Sequence, residues 1–90
     1  MEITSLRNEI DSLDKEITAL LIKRMGVSAQ VAQYKIENCL PVLDKSREEA
    51  LLNKIASLSG DMAEYTLQVY REILRQSKEY QKKLMSEVAK

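Results

Sequence analysis

The chain has 90 residues, with Lys+Arg and Asp+Glu equal at 14 each and a formal net charge of zero. That length suits one small domain over residues 1–90, and the neutral balance excludes the basic footprint of a nucleic-acid binder. Histidine is absent and Cys39 is the single cysteine, which removes Ser-His and Cys-His chemistry, an internal disulfide and the commonest zinc ligand, so neither metal nor cofactor is expected.

The apolar residues at the start of the chain keep a heptad spacing. Ile3, Ile10, Ile17 and Val31 take one seam position, and Leu6, Leu13, Leu20, Val27 and Tyr34 take the other. The repeat predicts one long helix over residues 4–37, ending before the loop Asn38-Cys39-Leu40-Pro41. About 34 residues at 1.5 Å each span ~50 Å. A globule of this chain length is only ~30 Å across, so the excess seam calls for a partner. A homodimer with paired long helices is the simplest solution.

Asp44 or Ser46 is placed to cap a second, shorter helix carrying Leu51, Leu52, Ile55 and Leu58. Gly60 is a natural stop, and Asp61 with Glu64 makes a capping-box-like start for a third helix. Along that helix run Met62, Tyr65, Val69, Ile73, Leu74, Tyr80, Leu84 and Val88. The fold class is therefore all-α: one long, one short and one long helix. No apolar run approaches the ~18 residues that would span a bilayer. The segment MEITSLRNEI is charged and amphipathic, unlike a secretory signal, so a cytoplasmic protein without membrane contact is expected.

Several charges fall on the apolar faces. Arg24 occupies the seam slot between Ile17 and Val31, where a guanidinium needs an anion from the protein or from a ligand. Lys35 lies three turns further on and points the same way, ~16 Å along the axis. Arg47 and Glu48 extend the stripe of the second helix backwards, and Arg47 sits in a first turn, where the helix dipole disfavours a cation. Ser77 and Gln81 are i,i+4 neighbours that interrupt the third stripe between Leu74 and Leu84. Each has an ordinary alternative: Arg24 paired with a glutamate of a partner chain, Arg47 and Glu48 in a solvated first turn, Ser77 and Gln81 flanking a seam. Together they describe a receptor for a small polyanion.

The ordered fragments Leu6-Arg7, Ile10-Asp11-Ser12-Leu13-Asp14, Leu20-Leu21-Ile22-Lys23-Arg24, Val31 to Lys35, Pro41-Val42-Leu43-Asp44-Lys45-Ser46-Arg47-Glu48, Ser77 and Gln81 carry a family resemblance. Over nearly its full length the chain resembles the all-α chorismate mutases, the intertwined homodimeric class. The resemblance implies an isomerase that rearranges chorismate to prephenate in aromatic amino-acid biosynthesis, in a homodimer with shared sites. Arg24, Lys35 and Arg47 then match the cations that hold the two substrate carboxylates, and Arg7 the arginine lent by the partner subunit. Lys35 and Gln81 match the donors to the ether oxygen. Glu48, with the backbone of Asp44, matches the group that binds the ring hydroxyl, and Ser77 an auxiliary carboxylate contact.

Two departures stand out. Met25 follows Arg24 where relatives often carry a second arginine, and the connection from the second to the third helix is a few residues short. Two rival readings remain at this level. One is an isochorismate-pyruvate lyase of the same fold. The other is a non-catalytic helical dimerisation or regulatory module, in which Arg24 and Lys35 would meet protein carboxylates and no cavity would form.

Overall fold

In the computed structural model, which describes residues 2–89, the helices are α1 (Ile3–Glu37), α2 (Lys45–Ser59) and α3 (Ala63–Ala89). The all-α class matches the heptad and cap signals, and α1 starts one residue before its expected first position.

The end of α1 explains the loop. Leu40 N–H donates to the Lys35 carbonyl at 2.8 Å and Cys39 N–H to that of Ile36 at 3.3 Å. This is the Schellman pattern, which places its αL residue at position 39. Cys39 accordingly has φ 55°, a conformation that glycine adopts at no steric cost and other residues adopt under strain. Cys39→Gly is expected to stabilise the fold by about 0.5–1 kcal/mol, raising Tm by a few degrees in thermal unfolding. A lower Tm would mean that the added freedom of the unfolded chain outweighs the relieved strain.

Asp44, rather than Ser46, caps α2: its carboxylate accepts the Arg47 N–H at 3.0 Å. Gly60, with φ 54°, ends α2 as expected. The capping box at Asp61 does not form. Residues Gly60–Met62 wind as a 3-10 turn flanked by helical backbone at Ser59 and Ala63, so no extended residue is available to act as the cap. The Ser59 hydroxyl instead donates to the Ile55 carbonyl at 2.6 Å and also meets the Thr66 hydroxyl, tying α2 to α3.

α3 is the central element and packs against both α1 and α2. Glu48 meets Lys78 near one end of the α2–α3 pair and Ser59 meets Thr66 near the other, so these helices run antiparallel. Ser28 meets Ser77 and Lys35 meets Gln81, so α1 and α3 ascend together where they cross.

Among the described residues only Ala32 and Ile55 are buried hydrophobics, whereas Ser28, Ser77 and Gln81 are buried polar groups. Ile3, Ile10, Leu13, Ile17 and Leu20 on α1 are all more than half exposed, as are Leu58, Met62, Tyr65 and Val69. The chain measures 55 × 26 × 14 Å with a radius of gyration of 16.4 Å. A compact chain of this length would have one near ~12 Å. One chain is thus a single thin layer of helices with its long seam uncovered. No helix among the described residues is long and apolar enough to cross a membrane.

Candidate active site

Where the three helices meet they line a half-open cavity of about 270 Å³. Val27 and Val31 of α1, Leu51 of α2 and Leu74 of α3 give it an apolar lining. Its polar wall contains Arg24, Lys35, Asp44, Arg47, Glu48, Ser77 and Gln81. The structure therefore gathers all the residues singled out in the sequence except Arg7. Arg7 is exposed near the start of α1, and a straight helix puts it ~25 Å from Arg24.

The helical spacing accounts for the convergence. Arg24, Ser28 and Lys35 share one face of α1 because they lie one and then two turns apart. The cap at Asp44 aims the N-terminus of α2 so that Arg47 and Glu48 in its first turn reach the cavity. Ser77 and Gln81 stand one turn apart on the buried face of α3.

Lys35 is held firmly. Its ammonium donates to the Val42 carbonyl at 2.7 Å and to Gln81 Oε1 at 3.0 Å. An ammonium carries three donors and no acceptor, so one N–H is left for a ligand. The same bond sets the Gln81 amide: its oxygen must face Lys35, which turns the NH₂ group away. That NH₂ lies 3.5 Å from the Ser77 hydroxyl, a weak contact that leaves donor capacity for a ligand. Ser77 is itself tied to Ser28 at 2.8 Å. Two adjacent donors, Lys35 and Gln81, are thereby aimed and only partly used.

The charges are unbalanced. Four cations, Arg24, Lys35, Arg47 and Lys78, line the cavity against the two carboxylates of Asp44 and Glu48. Asp44 is occupied by its cap and Glu48 by Lys78, whose ammonium lies 2.8 Å away. Among the described residues no carboxylate lies within ion-pair distance of Arg24, Arg47 or Lys35. Within one chain the anion that Arg24 requires is not a protein group. Elsewhere on α3, hydrogen bonds from Arg75 and then Gln76 hold the exposed Glu72 carboxyl down at about 2, but that cluster does not line the cavity. The chemistry available is the binding of a small anion, with the Lys35 and Gln81 donors held side by side.

Three participants were missed in the sequence. Ser28 was legible in principle, one turn beyond Arg24 on the same face. Lys78 and the Val42 carbonyl carry no such signal. Lys78 adjoins Ser77 in the chain and reaches the cavity only because α2 lies alongside, and a backbone carbonyl has no residue signature.

Comparison with known proteins agrees in one direction. The family model described as chorismate mutase type II matches residues 6–82. A bifunctional chorismate mutase/prephenate dehydratase of Buchnera aphidicola subsp. Schizaphis graminum is 34% identical over 88 residues, covering 94% of this chain and 23% of that protein. The T-protein of Haemophilus influenzae is 36% identical over 81 residues, covering 83% of this chain and 21% of its own length. A chorismate mutase of Methanocaldococcus jannaschii is 22% identical over 89 residues, covering 96% of this chain and 90% of that protein. The chain thus spans about a quarter or less of the two longer relatives, 23% and 21%, and nearly all of the archaeal one.

Proposed function

The chain belongs to the chorismate mutase type II family, and from that membership we propose that it is a chorismate mutase acting in aromatic amino-acid biosynthesis. The observation that carries the reading is the cavity in which Arg24, Lys35 and Arg47 converge with no protein carboxylate to answer them. Its volume suits a small metabolite better than a large cofactor. The non-catalytic module needs Arg24 and Lys35 satisfied by carboxylates and no cavity; within one chain neither condition is met among the described residues.

The reaction breaks the ether C–O bond of chorismate as a C–C bond forms between the enolpyruvyl group and the ring. No proton is exchanged, so a site without histidine suffices. Arg24 and Arg47 hold the two carboxylates, with the positive charge of Lys35 beside them, and keep the flexible dianion in its reactive, folded conformer. Negative charge grows on the ether oxygen as the C–O bond lengthens. The third Lys35 N–H and the Gln81 NH₂ meet that charge, each contributing a few kcal/mol in a water-poor site. Glu48 and the backbone N–H of Asp44 take the ring hydroxyl, and Ser77 supports a carboxylate.

The enzyme works as a homodimer, with Arg7 entering the site of the partner chain. The uncovered α1 seam supports this: each large apolar side chain buried between two chains adds ~1–2 kcal/mol. Residues 1–90 form one catalytic domain, and the reaction takes place in the cytoplasm. The test is direct: purified protein added to chorismate consumes its absorbance and forms prephenate. Salicylate formed from isochorismate, with chorismate untouched, would instead assign the lyase.

Gln81→Glu separates the donor role from simple packing. A protonated glutamic acid donates to the ether oxygen, whereas its carboxylate repels the charge developing there. Activity of the variant is therefore high at acid pH and falls as pH rises through the pKa of the new carboxyl. The wild-type amide does not titrate. Superimposable pH–rate profiles for the two proteins would remove Gln81 from the role.

A further inference from the structure

We infer that Lys78 is a positioning residue of this cavity, acting through Glu48 so that a carboxylate can stand in a site that receives a dianion. The inference rests on the chorismate mutase reading and extends it to a side chain outside the set that reading assigns. Glu48 lies in the first turn of α2 and faces the cavity with Arg24, Lys35 and Arg47. A bare carboxylate there repels each carboxylate of the ligand. Lys78 reaches across from α3 and places its ammonium 2.8 Å from Glu48 Oε1. The two side chains are 31% and 25% exposed, so solvent screens the pair less than it screens a surface ion pair.

The contact has two consequences. It cancels the Glu48 charge, so the cavity retains the excess of positive charge that a dianion needs. It also engages one carboxylate oxygen, which fixes the plane of the group and leaves the other oxygen as an acceptor for a hydroxyl. A purely mechanical alternative is that the pair only clamps α2 to α3. The two differ in what they demand of Glu48.

The experiment measures kcat and KM for chorismate, together with Tm, on the full chain carrying Lys78→Met, Lys78→Arg, Glu48→Gln, or Lys78→Met with Glu48→Gln. Lys78→Met is expected to raise KM about fivefold with kcat within about twofold, because the repulsion acts on bound substrate and transition state alike. Lys78→Arg brings KM back to within about twofold of wild type, since the charge is kept. In the Glu48→Gln background Lys78→Met raises KM by clearly less than in the wild-type background, because the direct pull of the ammonium on the dianion is lost in both while the placing of the Glu48 carboxylate is lost only in one. Additive effects of the two substitutions overturn the proposal. So does an unchanged KM with a lowered Tm, which assigns a clamp. Wild-type protein active on chorismate with an additive cycle removes only the Lys78 role. Wild-type protein inactive on chorismate removes the functional reading, and the Lys78 role with it.

Discussion

Arg24→Met is expected to lower kcat/KM by about thirtyfold to a few thousandfold while the fold stays intact or gains stability. Arg24 is half-buried at the cavity wall, and among the described residues no carboxylate is within ion-pair distance of it. Removing one partner of a desolvated charge pair with a ligand costs ~2–5 kcal/mol, and every 1.4 kcal/mol is about tenfold. In the free protein the balance is reversed. A half-buried guanidinium without a counter-ion is a liability, and the methionine side chain fills similar space next to Val27 and Val31 without a charge. Activity and thermal unfolding should therefore move in opposite directions or independently. If Arg24→Met unfolds the protein and shows no activity defect beyond the unfolded fraction, Arg24 belongs to a structural ion pair with another chain.

Mixing two dead variants should bring activity back. Arg7 and Arg24 are ~25 Å apart along α1, and no ligand that fits a cavity of about 270 Å³ touches both. If both serve one site, Arg7 comes from another chain, which a two-fold dimer with paired long helices allows. Arg7→Ala and Arg24→Ala homodimers should each be nearly inactive. Co-refolded in equal amounts with random association, about half the dimers are mixed. In a mixed dimer one site carries both lesions. The other takes intact Arg7 from the Arg24→Ala chain and all its remaining groups from the Arg7→Ala chain. About a quarter of wild-type activity should then return, one site in two on half the dimers. No recovery, with mixed dimers demonstrated by native mass spectrometry, would show that sites are not shared in this way.

Much of the candidate site was legible before the structure because it consists of departures from a regular pattern. A heptad makes Arg24 conspicuous, and the turn-by-turn spacing of a helix puts Lys35 on the same face whatever the partner helix is. The second and third helices expose Glu48, Ser77 and Gln81 in the same way. Helix positions follow from local periodicity and from Pro41 and Gly60, which act within a few residues. The expectation at Asp61 failed because a cap requires extended backbone, and the turn at Gly60 leads α2 into α3 without one.

By itself, then, the sequence determined that the protein is all-α, where its helices lie, that α1 outreaches the rest of the fold, and which inward polar groups need an anion. The tertiary structure decided how those groups are aimed. Lys35 on the Val42 carbonyl and Gln81, Ser28 on Ser77 and Lys78 on Glu48 join elements that local spacing does not relate. Their formation depends on the angle and offset at which α3 crosses α1 and α2. Side-chain packing over the whole layer sets those, and periodicity along one helix carries no information about them.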